Sequence, residues 1–404
     1  MATQLARIRL GVEAMIAPVD DEYRLVLHDS YHYSPVQVLL PPQAGPVLEF
    51  FDGRHDASEA RLAMVQATGD LRAGELLDHL TKVLDDAGFL EGEKFEAMRA
   101  ASEKAFSEAP ARLPIHAGGG YPGDAAELKE LMQRELIAPP SAGVVPGAAA
   151  VAAPHASPWA GYESYRQAYR ALGEDAAGRT FVILGTSHYG MPDRFGLTRK
   201  PFLTPFGETR TRSDLAVWLA ERAPRASLME DYCHSIEHSI EFQVVYLQAL
   251  YGPGVEILPV LCGPFGRSLF EGGKPEDDDG VREFFGALGE LASREGRRLC
   301  FVLGVDMAHM GARYGDQQPY KPHQGAMIEV AERDRARMAR LEAGDGDGFW
   351  ELVRENRDDL KWCGSAPFYT LMKVLPGLKG EVRAYQHWDI DEESVVSFGA
   401  MVFK

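Results

Sequence analysis

The 404-residue sequence has little positive charge and little cysteine. Its 42 Lys and Arg residues are outnumbered by 60 Asp and Glu residues, which gives a formal net charge of -18. This balance argues against a general nucleic-acid binder, which presents a basic face, and against docking on anionic membranes. The four cysteines (Cys233, Cys262, Cys300 and Cys363) form no C-x-x-C pair. We therefore expect reduced thiols in a cytoplasmic protein rather than a disulfide framework.

Long apolar runs are also missing. The longest, residues 142–154, is shorter than the roughly 20 residues that a membrane helix needs, and it contains Pro146 and Gly147. We interpret it as a loop that leads into a buried strand. Near the N-terminus, Arg7 and Arg9 interrupt the apolar residues, so no signal-peptide core is expected there.

The length predicts two domains, because a single core rarely serves a chain of this size. Residues 1–95 are expected to form a small domain with strands at 23–28 and 36–40, helices at 45–51, 56–68 and 71–87, and a last short strand at 89–90. Residues 96–112 are charged and rich in alanine, which predicts a helical linker. Residues 113–404 would form the second domain.

Apolar runs alternate with helical patterns in this second part. The runs read VVPGAAAVAAP, RTFVILGTS, VEILPVLCG, RRLCFVLGVD and VVSFGAMVF. Helices are predicted between them at 162–172, 213–222, 238–251, 281–295 and 324–342. Such alternation predicts an α/β fold with a central, mostly parallel sheet and helices on both faces.

Three histidines each follow one of the apolar runs. His155 lies in AAPHAS, His188 in ILGTSH and His309 in GVDMAH. Side chains just past the carboxyl ends of parallel strands converge on one crevice, where α/β proteins bind ligands. Three converging imidazoles predict a site for one transition-metal ion, because neutral imidazole suits iron, copper and zinc.

Two further residues are candidates for chemistry at this site. Asp306 precedes His309 by three residues and could orient an imidazole or join the metal ligands. The alternative for Asp306 is a cap on the turn after the strand. Cys363 lies in KWCGSAPF just before a predicted helix, where a thiol can ligate metal or react. The alternative for Cys363 is a small buried core residue.

A competing motif is HSIEH at residues 234–238. It fits the H-x-x-E-H pattern of inverted zincins, with His234 and His238 as zinc ligands and Glu237 as base. Residues four apart share a face of a helix, so the motif requires helical geometry. A third ligand is not obvious, unless it is Glu241 or another acid.

From residue 115 to the C-terminus the chain resembles the MEMO family, protein B of the AmmeMemoRadiSam system. The matching stretches, in order, are HAGGGYPGD, APHASPWAGY, FVILGTSHYG, EHSIEFQVVYL, ILPVLCG, GVDMAHMG, CGSAPF and SVVSFGAM. The resemblance implies a fold like that of class III extradiol dioxygenases, in which a metal pocket lies at the strand ends. It places the three metal histidines at His155, His188 and His309.

The same resemblance assigns the remaining pocket residues. Asp306 and Cys363 fall on the pocket Asp and Cys, His238 on the EHSIE histidine, and His116 on the HAG histidine, whereas His234 has no counterpart. The chain departs from the family pattern where SPWAGY follows APHA, where Tyr189 replaces a histidine after His188, and where Gly-Val precedes Asp306. These changes alter the pocket without removing a ligand.

Residues 1–95 resemble the PqqD-like domain, a small winged helix that grips leader peptides. The residues that carry this resemblance are EFFDGRHDASEA and LTKVLDDAGFL. It implies that an extended peptide adds to a strand edge near residues 23–28. The alternative is a docking or dimerisation module. Because residues 52–96 are acidic, a bound peptide would be neutral or basic.

These observations predict a transition-metal-dependent redox enzyme related to extradiol dioxygenases, acting on a small-molecule or peptide substrate. Iron(II) is the expected metal, with copper or zinc as alternatives. Asp306, His238 and Cys363 are the candidate catalytic residues, His238 as an acid/base beside the metal. The alternative functions are a non-catalytic metal- or peptide-binding protein and a zinc hydrolase that uses HSIEH. No nucleic-acid or membrane partner is expected.

Overall fold

The computed structural model describes residues 4–69, 72–137 and 143–404. The chain divides into two compact units, Met1–Glu108 and Ala109–Lys404. The helix at Glu93–Glu108, which occupies much of the segment expected to be a linker, belongs to the first unit.

Within its described residues, the first unit contains a three-stranded antiparallel sheet in the order β1-β2-β3 and four α-helices. Its elements are β1 (Val12–Val19), β2 (Glu22–Asp29), β3 (Val38–Leu40), α1 (Gly45–Leu48), α2 (Ala57–Thr68), α3 (Ala73–Asp86) and α4 (Glu93–Glu108). β2 and β3 match the predicted strands, whereas β1 was not predicted and Leu90 forms only an isolated bridge with Ile8. Leu71, the expected start of the third helix, lies outside the described residues.

Two local features define this unit. The Asp56 side chain accepts from the backbone N–H of Ser58 and Glu59, and Glu59 closes a capping box that begins α2. A buried ion pair joins Arg9 to Asp29, with 2.7 Å between Nη2 and Oδ2. The core is built from α3 leucines and from β2 and β3, as the amphipathic pattern of α3 predicts.

A ten-stranded sheet lies at the centre of the second unit, within its described residues. The strands of the second unit, including two outside this sheet, are β4 (Ala150–Ala153), β5 (Thr180–Thr186), β6 (Phe195–Leu197), β7 (Leu203–Thr204), β8 (Gly207–Glu208), β9 (Arg210–Thr211), β10 (Ser227–Met229), β11 (Glu256–Cys262), β12 (Leu299–Gly304), β13 (His309–Gly311), β14 (Gly380–Asp389) and β15 (Ser394–Phe403). The order is β10-β6-β11-β5-β12-β4-β15-β13, with β14 on β15 and β9 on β11, while β7 and β8 pair separately. The central strands β11, β5, β12 and β4 are parallel.

Helices cover both faces of this sheet. They are α5 (Ala125–Met132), α6 (Pro158–Tyr169), α7 (Ser213–Arg222), α8 (Cys233–Ile236), α9 (Glu241–Tyr251), α10 (Gly266–Glu271), α11 (Asp279–Glu295), α12 (Met327–Ala343), α13 (Gly346–Arg354) and α14 (Ser365–Val374), with a π-helical turn at Gln133–Ile137. Alternate residues of β5 enter two different apolar clusters, Val182 and Leu184 with α7 and α11, Phe181 and Ile183 with α6 and α9. The predicted α/β class is confirmed.

None of the helices in the described residues is long and apolar enough to span a membrane.

Candidate metal centre

The site forms where three parallel strands end side by side. Gly304 of β12 is paired with Ala153 of β4 and with Gly185 of β5, so the carboxyl ends of these strands are level. His155 follows β4 by two residues and His188 follows β5 by two. Both imidazoles therefore lie where these central strands end, which is the position that the strand-end rule predicts.

A third imidazole reaches these strand ends from another segment of the chain. His155, His188 and His238 each offer a nitrogen, and these atoms lie within 4.8 Å of one another. The ring centroids are 4.9 Å apart for His155 and His188, 5.1 Å for His155 and His238, and 5.0 Å for His188 and His238. Three imidazoles at this separation form a cluster that fits one transition-metal ion.

Two strand-end glycines allow His238 to come so close. A Cβ on Gly304 would lie 2.0 Å from the Ser239 carbonyl oxygen, and a Cβ on Gly185 would lie 2.6 Å from the Ser239 hydroxyl. The segment that carries His238 therefore lies directly on the ends of β5 and β12. The glycines in ILGTSH and LGVDMAH are visible in the sequence, but they do not identify the segment that packs on them.

The proton positions on the clustered imidazoles suit metal binding. His155 Nδ1 donates to the Gly304 carbonyl at 2.9 Å, and His188 Nδ1 donates to Glu237 at 3.0 Å. His238 Nδ1 lies 3.2 Å from the same Glu237 carboxylate. Each Nδ1 thus faces an acceptor, which leaves the Nε2 lone pair available as a ligand.

Burial and the Glu237 carboxylate set the charges at the site. Burial, together with the neighbouring His188, lowers the pKa of His155 to about 3, so this imidazole is neutral. Burial also lowers the pKa of His238 well below its ordinary value. Burial opposes charge on both Glu237 and His188, but their mutual attraction holds the pKa of the carboxyl well below its usual range and raises the pKa of His188 well above its ordinary value. Glu237 therefore stays ionised between the two rings.

Asp306 and Cys363 both adjoin His155. Asp306 accepts from the backbone N–H of His155 at 3.0 Å, and its other oxygen lies 3.6 Å from His155 Nε2. The Cys363 sulfur lies 3.2 Å from the same Nε2 atom. Burial raises the pKa of both Asp306 and Cys363.

His309 lies outside the group of three clustered imidazoles. Its Nδ1 donates to the carbonyls of Met307 at 2.9 Å and Lys361 at 3.1 Å, and its ring packs edge-on against Tyr314. Two members of this group, His155 and His188, are among the three predicted metal histidines, and His238 is its third member.

The two predicted pocket residues flank the cluster. The His116 ring lies 5.6 Å from that of His238, and its Nε2 donates to the Ile236 carbonyl at 3.1 Å. The Tyr189 ring lies 6.3 Å from that of His188.

The HSIEH segment lacks the helical geometry that an inverted zincin requires. Helix α8 ends at Ile236, and Glu237 is extended with φ -77° and ψ 135°. His234 is buried and its Nε2 donates to the Gly196 carbonyl at 3.0 Å, so it does not share a face with His238. The zincin interpretation is wrong for this reason, and Glu237 supports the imidazoles of His188 and His238 instead.

Glu241, considered above as a further zinc ligand, belongs to a buried ion pair with Arg112 and also accepts from the Tyr121 hydroxyl. Arg112 donates in addition to the carbonyls of His234 at 2.9 Å and Glu237 at 2.7 Å. This arginine fixes the backbone of the segment that presents His238. Sequence reasoning missed it, because His234, Glu237 and Glu241 lie more than 120 residues away along the chain.

The fold and the site define an α/β protein with a histidine cluster at the ends of its central parallel strands. A sequence model described as Memo-like protein matches residues 112–402, and the chain belongs to this family.

Relatives in this family match most of the chain. A MEMO1 family protein of Aquifex aeolicus is 26% identical over 385 residues, 91% of this chain and 94% of its own length. MEMO1 family proteins of Thermococcus kodakarensis and Methanopyrus kandleri are 29% and 28% identical, each over 72% of this chain and 99% of its own length. Since the Aquifex match covers 91% of the chain, it extends into the segment before residue 112, so that relative shares part of the N-terminal segment.

Proposed function

We propose that the chain binds one transition-metal ion, iron(II) first among the candidates, through His155, His188 and His238, and that it acts as a metal-dependent redox enzyme on a small-molecule or peptide substrate. The observation that carries the proposal is the group of three imidazole nitrogens within 4.8 Å of one another. A redox-active ion held by imidazoles supplies one-electron and oxygen chemistry when bound.

The residues around the cluster divide the remaining tasks. Glu237 orients His188 and His238 by accepting from their Nδ1 atoms. Asp306 orients the His155 backbone, and Cys363 holds a thiol proton beside His155 Nε2. The raised pKa of Cys363 favours this protonated thiol, which can serve as a proton donor toward a substrate in the pocket.

Metal stoichiometry tests the ligand set. We expect anaerobically purified protein, reloaded with iron(II), to hold one ion per chain, and the variants His155→Ala, His188→Ala and His238→Ala to lose it. His309→Ala should retain the ion, because His309 lies outside the cluster. His79→Ala, at an exposed histidine of α3, is the matched control.

Two outcomes would change the assignment. Loss of the ion in His309→Ala with retention in His238→Ala would move the third ligand to the residue that the family resemblance implies. Full occupancy in both His188→Ala and His238→Ala would contradict the site itself. Metal binding without oxygen consumption in the presence of catechols or peptides would favour a non-catalytic binding protein.

We propose further that the first unit captures an extended peptide by strand addition. The predicted edge at residues 23–28 is not an edge, because β2 lies between β1 and β3. β1 is an eight-residue edge strand of the described sheet, and Met15 and Ile16 are 48% and 61% exposed. An exposed edge of this length is a template for a further strand.

The test titrates the full chain with peptides encoded by neighbouring genes and follows backbone amide shifts. Shifts confined to β1, lost in Ile16→Lys and kept in Leu62→Lys, are expected, since Leu62 is an equally exposed residue of α2. Shifts that persist unchanged in Ile16→Lys would place the peptide elsewhere.

A further inference from the structure

A cavity of about 230 Å³ lies beside the histidine cluster. His188 and Cys363 form part of its lining, and His188 and Pro264 are its exposed wall residues. The rest of the lining comes from the ends of β5 and β11, from α10, α13 and α14, and from the segments before α10 and α14. An apolar cavity of roughly 150 Å³ is sufficient to hold a benzene ring, so this space admits one substituted ring.

Three aromatic side chains, Phe265, Trp350 and Trp362, line this cavity. Both indole N–H groups are already engaged elsewhere. Trp350 Nε1 donates to the Ser268 hydroxyl at 2.8 Å, and Trp362 Nε1 donates to Asp334 at 2.6 Å. The two indoles therefore offer only apolar surface to an occupant, and aromatic walls favour a flat ring.

The cavity presents no uncompensated charge among its described lining residues. Asp358 is paired with Arg337, with 2.7 Å between Oδ1 and Nη1. Burial raises the pKa of the Cys262 thiol to about 12, so this side chain is neutral as well. An uncharged occupant is favoured, because a charged group would lose its hydration without gaining a partner.

Two hydroxyl groups in the lining, those of Ser187 and Ser365, have no hydrogen-bond partner within the described part of the chain. The Ser365 hydroxyl is buried and unpaired, and its residue is only 7% exposed. Ser365 is also the first residue of α14, and no side chain caps that helix. The unpaired Ser365 hydroxyl and the positive end of the helix both favour an oxygen atom on the occupant at this point.

From these observations we propose that the cavity is a binding site for an uncharged aromatic ring with one hydroxyl group, a phenol, held between Phe265, Trp350 and Trp362 with its oxygen at Ser365. A substrate anchored in this way would lie against Cys363 and His188, which line the same cavity. This part of the inference rests on the proposed metal function, whereas ring binding itself does not.

Calorimetric titration of the chelator-treated full-length chain with 4-methylphenol and with toluene tests the proposal. We expect 4-methylphenol to bind about tenfold more tightly than toluene, because toluene leaves the Ser365 hydroxyl unpaired. Ser365→Ala should abolish this difference. Ala366→Leu, which fills the cavity, should weaken both ligands at least about tenfold, while Phe270→Ala, an exposed neighbour on α10, should change neither.

Equal binding of 4-methylphenol to the unmodified chain and to Ala366→Leu would overturn the proposal, as would its failure to bind at millimolar concentration. Iron content measured on the same variants separates phenol binding in the cavity from metal binding by the histidine cluster. Ring binding without metal uptake would support the phenol site and contradict the metal function. Metal uptake without ring binding would support the metal function and contradict the phenol site.

Discussion

At the scale of single residues, one carboxylate organises most of the candidate centre. Glu237 accepts from the Nδ1 atoms of His188 and His238 and from the backbone N–H groups of His188, His238 and Ser239. It is buried, and these donors stabilise its charge. Two of the three clustered rings consequently depend on a residue that lies outside the group of three imidazoles.

Glu237→Gln should therefore weaken iron(II) binding about 10- to 100-fold, because loss of a carboxylate behind a ligating histidine typically costs that much affinity. Competition with a chromophoric chelator measures the change. Glu290→Gln, at an exposed position of α11, is the control and should bind iron as the unmodified chain does. An affinity within twofold of the control would show that Glu237 does not orient the ligands.

The histidines near this site differ in how far the sequence predicts their positions. His155 and His188 are predictable, because a strand end and a two-residue offset determine where their side chains lie. His309 follows β12 by five residues, and no rule gives the course of the backbone over that distance. His238 reaches the cluster through tertiary contacts with Gly185 and Gly304, which no local pattern encodes.

At the scale of secondary-structure elements, the buried Asp334 of α12 joins three other segments. It accepts from Trp362 Nε1 at 2.6 Å, from the Tyr385 hydroxyl of β14 at 2.7 Å and from the Ser397 hydroxyl of β15 at 2.6 Å. Ser397 Oγ in turn accepts from the backbone N–H of Ala308 at 2.8 Å. The network thus supports the segments next to Cys363 and His309.

Asp334→Ala should lower the free energy of unfolding by about 3 kcal/mol or more, because it leaves several buried donors unpaired. Urea unfolding followed by circular dichroism measures this change. Glu332→Ala, an exposed position in the same helix, should shift the value by less than about 0.5 kcal/mol. Similar values for the two variants would mean that water replaces the Asp334 carboxylate at little cost.

His387 of β14 extends this network and gives stability a pH dependence. Its Nδ1 accepts from the backbone N–H of His323 at 3.3 Å, and its Nε2 donates to the Tyr385 hydroxyl at 2.9 Å. Burial, with the neighbouring His323 and Arg335, lowers the pKa of His387 to about 4. Protonation at Nδ1 would break the bond to His323, so the ring is neutral in the folded chain.

Since the unfolded chain takes up this proton near pH 6.5 and the folded chain near pH 4, the contribution of His387 is complete above about pH 6.5. It should be lost progressively as the pH falls toward 4. Unfolding curves of the unmodified chain and of His387→Gln, compared between pH 7.5 and 4.5, check the sign. The variant should lose less stability than the unmodified chain over this interval, and a parallel loss in both would assign the dependence to other groups.

Elements differ in how far the sequence predicts them. The central strands β5, β11 and β12 lie within the predicted apolar runs, and α7 has the predicted bounds 213–222, because buried parallel strands and amphipathic helices leave strong periodic patterns. β1, β13 and β14 were not predicted. β1 is mostly exposed, β13 has only three residues, and β14 is mostly half-buried. Pairing with neighbouring strands rather than a local sequence pattern therefore defines these three strands.

At the scale of the whole molecule, the apolar clusters separate the chain into parts with their own cores. The two large clusters contain residues from 117 onward, and the cluster of the first unit contains residues up to 90.

The fragment 109–404 should therefore fold cooperatively and bind iron as the full chain does, since it retains both clusters and Arg112, which donates to the Glu237 carbonyl. Denaturant unfolding and iron stoichiometry check this expectation. The matched fragment 125–404 removes Arg112 and Tyr121, both of which bond to Glu241, and it should lose cooperative unfolding and metal together. If 109–404 were insoluble or unfolded without cooperativity, residues before 109 would be required for the second unit, and the division into two independently stable parts would be wrong.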